Sequence, residues 1–440
     1  MDYRIRFGQA GCWAARAAAV VAAAVFLLGS TVAFAAPVEL TLEKAIDLAL
    51  KNNPTVKMAQ ADKEKSAWAV TEAKAGLFSP SFTYTHQATY LKTTPAGGSL
   101  VTNNFDNRLA MSLPLYTGGK VEGGIDQAKL NFKVSELALD LARQQVKLNA
   151  TTAYFSLLQA RDVLALNQEA VDRLKAHLEN VKAQYSVGTV AKLDVLQSEV
   201  DLANAEQALI KAQNSYDVAM ATLNNVIQLP HDTELAVKEQ LKYEKYTKTL
   251  DECLAYALKN RPDIIQAQLN LDIAKEGKRV AAAGNVPSLA FNAYYDTYDR
   301  PFAGFGNDNN VNWSTYLTLT WNLFDSGLTK SRVKEAVAAM DKASQQMKQT
   351  TDSVLLSVRQ AYLGLREAEK RISTSQVAVN QAEEAYKIAE VRYSAGVGTN
   401  LDVMDAQYSL TQAKTNYVQA LYDYNTSWAT LENAMGVPVK

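Results

Sequence analysis

Leu42-Glu43-Lys44-Ala45-Ile46-Asp47-Leu48-Ala49-Leu50-Lys51-Asn52-Asn53-Pro54 and Leu250-Asp251-Glu252-Cys253-Leu254-Ala255-Tyr256-Ala257-Leu258-Lys259-Asn260-Arg261-Pro262 are one pattern written twice. Carrying the same offset onward, Leu115, Ala153-Tyr154, Tyr185-Ser186, Gly188, Leu193-Asp194-Val195, Leu223 and Pro230 meet Leu323, Ala361-Tyr362, Tyr393-Ser394, Gly396, Leu401-Asp402-Val403, Leu431 and Pro438. Shared composition does not keep so many identities in one register, so the chain is a duplication. The first repeat is placed at residues 36–230, a polar, charged linker at 231–249 and the second repeat at 250–440.

Within each repeat the hydrophobic period changes from helical to alternating and back. From Leu42 to Gly76 the residues are helix formers, with Pro54 dividing a short helix from a longer one, and Pro80 stops the pattern. Phe82, Tyr84, Ala88 and Tyr90 then alternate with threonines, and Leu109, Met111, Leu113 and Leu115 with Arg108, Ala110 and Ser112, which predicts strands over about 80–91 and 107–116. In the second repeat strands are predicted over about 287–298, after Pro287, and 311–323. The last is the clearest: Val311, Trp313, Thr315, Leu317, Leu319, Trp321 and Leu323 share one face, and Asn312, Ser314, Tyr316, Thr318, Thr320 and Asn322 the other. A soluble sandwich alternates in the same way, but a strand of about ten residues with tryptophans near both ends also has the length and interfacial aromatics of a lipid-facing strand. Two Gly/Asn/Thr-rich stretches, Lys92–Asn107 and Asp299–Asn310, are expected to be the loops at the outer end.

Between Gly119 and Gly188, and between Gly327 and Gly396, there is no proline and, apart from Gly123, Gly124 and Gly364, no internal glycine. That leaves room for helices of about 65 residues, on the order of 100 Å. A second helix follows each, with Leu202, Leu209, Tyr216 and Leu223, and Leu410, Tyr417, Tyr424 and Leu431, recurring every seven residues. This spacing implies paired, coiled-coil helices. Four strands cannot close a barrel, and open edges cannot stand in lipid, so a barrel reading requires several chains; three would supply twelve strands.

Composition narrows the class. The chain has 440 residues, a formal net charge of −1, 21% charged and 48% hydrophobic residues, with no basic excess that would suggest nucleic acid. Arg4, Arg6 and Arg16 precede an apolar run from Ala17 to Leu28 and then Ala33-Phe34-Ala35, so residues 1–35 are expected to be a signal peptide cleaved after Ala35. Cys253 is then the single cysteine of the mature chain, which excludes an intrachain disulfide framework. His86, His177 and His231 have no partner at metal-ligand spacing, and the sequence carries no P-loop, nucleophile elbow or dinucleotide fingerprint. No enzyme activity, metal or cofactor is expected.

Gln184-Tyr185-Ser186-Val187-Gly188-Thr189 with Leu193-Asp194-Val195-Leu196, echoed by Arg392-Tyr393-Ser394-Ala395-Gly396 with Leu401-Asp402-Val403-Met404-Asp405-Ala406, resembles the tip motif of the TolC-like outer membrane factor family. The resemblance extends over essentially the whole mature chain. It implies an α+β membrane protein: a homotrimer whose twelve-stranded barrel, four strands per chain, sits in outer-membrane lipid and continues as a long coiled-coil helical barrel in the periplasm. It further implies an exit duct of a tripartite efflux or type I secretion system, passively conducting solutes from a periplasmic membrane-fusion adaptor and an inner-membrane transporter. The tip turns, Val187-Gly188-Thr189 and Ala395-Gly396-Val397, become candidates for adaptor docking, although Gly188 and Gly396 are equally explained as helix C-caps. Asp402 and Asp405, three apart and so on one helix face, with Asp194 in the first repeat, are candidates for a selectivity ring at the pore entrance; the other reading is that Thr399 and Asp402 form a capping box. Tyr185 and Tyr393 are gate candidates, and packing on a coiled-coil seam is their plainer role. Gly398 stands where the best-known members carry a basic residue that helps lock the entrance, so a different lock is expected. The competing class is a periplasmic coiled-coil scaffold or adaptor without a pore.

Overall fold

The computed structural model describes residues 38–94, 100–298 and 311–439. The leader at 1–35 and the stretch Asp299–Asn310 lie outside these residues. In chain order the elements are β1 (Val38–Glu39), α1 (Leu42–Asn52), α2 (Pro54–Ala75), β2 (Ser81–Thr93), β3 (Leu100–Tyr116), α3 (Lys120–Ser186), α4 (Lys192–Ile227), β4 (Leu235–Ala236), α5 (Leu250–Asn260), α6 (Pro262–Ala282), β5 (Ser288–Tyr298), β6 (Val311–Thr320), α7 (Leu328–Ser394) and α8 (Asn400–Met435). The fold is therefore α+β, mostly helical, with one four-stranded sheet.

The two opening sequences become α1 and α5, each amphipathic and each stopped by the following proline, which begins the next helix. Thr41 and Thr249 cap them, Thr249 in a full capping box with Glu252. Asn53 caps α2, its carbonyl oxygen accepting from Thr55 N at 2.9 Å, while its amide nitrogen donates to Val226 O at the end of α4, 3.3 Å away. Arg261 makes the same joint in the second repeat by donating from Nη1 to Ala434 O at the end of α8, at 2.5 Å. So α2 and α4 abut and together run beside α3, as α6 and α8 do beside α7.

The helix pairs pack on seams of period seven. Val358, Leu365, Ile372 and Val379 are buried in α7, and Leu410, Tyr424 and Leu431 in α8. A second row in α4 and α8 is built from alanine: Ala212 and Ala219, and Ala413, Ala420 and Ala434, are all buried. Small side chains there let helix axes approach closely. The largest core lies where these helices meet α1, α5 and the linker, around Tyr154, Leu157, Leu223, Ile227, Leu365, Tyr424, Leu431 and Met435. The linker is strapped across it: β4 pairs in parallel with β1, Tyr154 Oη donates to Glu239 Oε2 at 2.9 Å and lies 3.3 Å from Leu40 O, and Tyr424 Oη donates to Glu244 O.

The sheet sits at one end of the helices, in the order β2-β3-β5-β6 and antiparallel throughout. Pro114, which cannot donate to the ladder, coincides with a register shift between β3 and β5. Registers place Phe82, Tyr84, Leu109, Met111, Phe291, Tyr295, Trp313, Leu317 and Leu319 on one face. Leu317 is 63% exposed and Leu319 66%, so among the described residues nothing packs over this part of the apolar face. Among the described residues both outer strands leave one edge unpaired. Among the described residues no helix is long and apolar enough to cross a membrane.

Two strand limits differ from the sequence reading. The loop expected at Lys92–Asn107 is shorter, because β3 begins at Leu100 and pairs with β2 from Thr93↔Leu100 onward; Asn103 and Asn104, read as loop formers, stay in the ladder opposite Tyr90 and Thr89. At the other end β6 stops at Thr320, and Trp321 leaves the strand to donate its indole N–H to Asn285 O at 3.2 Å, beneath the end of α6.

Candidate functional site

Opposite the sheet, each long helix turns back on itself. At the end of α3, Gly188 takes φ +81°, Gly188 N donates to Tyr185 O and Thr189 N to Gln184 O, each at 3.0 Å, and the Thr189 hydroxyl donates to the same Gln184 O at 2.9 Å. At the end of α7, Gly396 takes φ +73°, Gly396 N donates to Tyr393 O and Val397 N to Arg392 O, each at 3.0 Å. Both are left-handed helix-end turns, the conformation that favours glycine. They project Val187 and Val397, 73% and 67% exposed, with Thr189 and Ala395 also exposed.

The helices that start from these turns are capped differently. Thr399 N donates to Asp402 Oδ2 at 3.0 Å and Asp402 N to Thr399 Oγ1 at 3.1 Å, a complete capping box, and these bonds hold the Asp402 carboxyl below the usual carboxylate range. In α4 the corresponding residue is Ala191, which has no side-chain acceptor, so Asp194 alone takes the Ala191 N–H, at 3.3 Å. Two of the three candidate selectivity carboxylates are thus turned back onto their own helix starts. Asp405 is exposed and faces Asp201 of α4, whose carboxyl is pushed up by burial and by the Asp405 charge. Nothing local in the sequence marks Asp201, although it lies one heptad after Asp194.

The two hairpins are joined by a buried polar junction. Asn400, 5% exposed, carries its side-chain oxygen 2.7 Å from His177 Nε2, and its amide nitrogen donates to Asp194 O and to Ser198 Oγ, each at 3.2 Å. Ser198 Oγ also reaches Asp194 O at 2.8 Å. His177, solitary in the sequence, thus pairs with a residue of the other repeat. Tyr393 packs beside it, ring centroids 5.1 Å apart, and touches Leu174, Val403 and Met404 on one side and Leu178, Val181 and Val195 on the other. Its hydroxyl is buried with no hydrogen-bond partner among the described residues, and burial, with the Asp194 carboxylate nearby, pushes the phenol up. The structure brings Tyr393 into this junction and leaves Tyr185 exposed. A side chain at Gly398 would press against the Tyr393 backbone nitrogen, 3.0 Å away; the basic group at this turn is instead Arg392, which donates to Val397 O at 3.4 Å.

Comparison with known proteins agrees with the duplicated architecture. The model of a family described as "outer membrane efflux protein" matches residues 45–227 and again 254–437. Outer membrane protein TolC of Escherichia coli (strain K12) is 25% identical over 397 residues, covering 88% of this chain and 80% of TolC. The alkaline protease secretion protein AprF of Pseudomonas aeruginosa is 24% identical over 411 residues, 89% of this chain and 83% of AprF. Among solved structures, the Campylobacter jejuni CmeC outer membrane channel superposes with a TM-score of 0.80 at 20% identity, covering 90% of this chain and 85% of CmeC.

Proposed function

This chain belongs to the outer membrane efflux protein family, and on that footing we propose that three copies close a twelve-stranded barrel, with their helices forming a tube that ends at the paired turns. The protein is an outer-membrane exit duct for efflux or secretion, with its helical part in the periplasm. The observation that carries the trimer is the sheet: four strands, two unpaired edges and an outward apolar face. In lipid those edges must pair with other copies, because nothing else there satisfies backbone N–H and C=O groups. Three chains give twelve antiparallel strands.

At the other end, the exposed turns Val187-Gly188-Thr189 and Ala395-Gly396-Val397 dock a periplasmic adaptor that links the duct to an inner-membrane transporter. Asp402 and Asp405 of the three chains surround the entrance, with Asp194 on the first-repeat hairpins, and favour cations. Asp402 can cap its helix and still present charge, since the capping box uses one of its oxygens. Tyr393, and at the exposed tip Tyr185, belong to the gate; the packing of Tyr393 between the hairpins supports its part in it. The closed entrance opens when the partners bind the open arrangement more tightly.

Single-channel conductance in planar bilayers tests this reading. The expected result is a small cation-selective conductance whose selectivity falls in Asp402→Asn plus Asp405→Asn, a pair that removes charge while leaving an acceptor for Thr399 N. Unchanged selectivity would reduce the aspartates to structural groups. Absence of any insertion would favour the scaffold reading.

A further inference from the structure

Above the tip turns, α3, α4 and α8 leave an open cleft of about 530 Å³. Its apolar wall includes Leu174, Ala205 and Met404; Asp201, Asp405 and Gln407 contribute acidic and amide oxygens. No lysine, arginine or histidine is among the residues that line it. Among the described residues neither carboxylate has an ion-pair partner, while Lys175 of α3 pairs with Glu206 and Lys182 with Glu199.

A second observation is independent of the acids. Gln407 is 4% exposed; its amide nitrogen donates to Thr411 Oγ1 at 3.2 Å, while its carbonyl oxygen is buried without a partner among the described residues. A buried acceptor left unmade costs free energy that a bound donor restores. The burial and mutual repulsion that raise the Asp201 carboxyl are relieved by the same donor if it is positively charged. Two carboxylates without an ion-pair partner and one buried amide oxygen without a donor, beside an apolar wall, call for a group that is cationic, rich in N–H and attached to an apolar body. A bare divalent ion instead needs a tight cage of six or so oxygens, whereas this volume falls in the range of small-molecule sites.

We propose that the cleft binds ammonium-bearing amphiphiles, the ammonium lying between Asp201 and Asp405 and within reach of the Gln407 oxygen, the apolar body along Leu174, Ala205 and Met404. All the residues that line the cleft belong to one chain.

The test is a fluorescence titration of the purified full-length protein, in one fixed non-ionic detergent, with dansylcadaverine, a primary ammonium on an apolar fluorophore. Saturable, blue-shifted emission is expected, and little for the N-acetylated, uncharged derivative. Asp201→Asn and Asp405→Asn each remove one charge-assisted bond and are expected to raise Kd about tenfold or more. Gln407→Met is expected to raise it severalfold, and Asp217→Asn, exposed further along α4, to leave it unchanged. The proposal is overturned if the acetylated derivative binds equally well, if neither carboxamide variant weakens binding, or if Asp217→Asn weakens it as much. Displacement of the probe by micromolar calcium, abolished in the same variants, would make this a metal site and also overturn it. Circular dichroism and gel-filtration elution identify any variant that fails to fold, and the Gln407 variant then carries the test. The readout is binding alone, so its failure is distinguishable from failure of the conductance measurement.

Discussion

Asn400→Ala perturbs the tip at the point where the two hairpins are joined. The substitution removes the acceptor at 2.7 Å from His177 Nε2 and the donor to Asp194 O and Ser198 Oγ, in a site where Asn400 is 5% exposed. The main cost comes from the groups left behind, above all His177 Nε2, buried and 8% exposed, since Ser198 keeps its bond to Asp194 O. The three lost bonds at about 1 kcal/mol each come to about 3 kcal/mol. Helix propensity works slightly the other way, because alanine is the better residue near a helix start. If the loss falls on local separation of the hairpins, the opening equilibrium rises on the order of a hundredfold. Hydrogen–deuterium exchange should therefore accelerate by about that factor in peptides covering the start of α8, the start of α4 and the α3 turn around His177, while peptides around Tyr154 and Leu365 keep their protection. Asn400→Asp, which keeps an acceptor for His177, should fall between. Equal protection of the tip in wild type and Asn400→Ala would refute the assignment of this cluster as the joint between the hairpins.

Lowering pH should loosen the first turn of α8. The folded Asp402 carboxyl is depressed by Thr399, so the stability it adds is present above the ordinary carboxylate range and is lost as pH falls through the lowered folded value; amide exchange corrected for intrinsic rate should show this, and Asp402→Asn should abolish the dependence. Gly396→Ala forces a side chain onto φ +73° and should destabilise the turn by about 1–2 kcal/mol, read as faster exchange at Val397 and Gly398 with α1 and α5 unchanged. Leu317→Arg on the apolar face of β6 should cost about 2–4 kcal/mol in lipid and reduce the fraction inserted into liposomes, while Thr318→Arg on the other face should insert normally; equal insertion of both would remove the lipid-facing assignment.

Much of this architecture was legible because its signals are periodic. The duplication, the alternation around Trp313 and Leu317, and the long intervals free of proline describe the sheet and the 67-residue helices directly. The alanine rows of the seams are not legible in the sequence, since Ala212, Ala219, Ala413 and Ala420 carry little hydrophobic signal although all are buried. The start of β3 is obscured because Asn103 and Asn104 favour turns as isolated residues, a preference that a long antiparallel ladder overrides. At the tip, the turns and the Thr399–Asp402 cap were readable from local spacing. The junction was not: His177 and Asn400 are 223 residues apart and belong to different repeats, and nothing local marks either as a partner. Asp201 meets Asp405 for the same reason, through packing of α4 beside α8.

The joints at Asn53–Val226 and Arg261–Ala434 make the molecule a ruler with two separate scales. From joint to turn, its reach is set by α4 and α8, each of 36 residues and about 54 Å long. From joint to sheet it is set by α2 and α6, of 22 and 21 residues. A seven-residue insertion that keeps the seam in register lengthens a helix by about 10 Å. Made in matching places in the tip-side halves of α3 and α7 and in α4 and α8, it would carry the turns further from the sheet without moving a strand, a cap or the linker. The gap such a chain bridges can therefore drift over evolution by whole heptads, four insertions at a time, while the end set in the membrane keeps its dimensions.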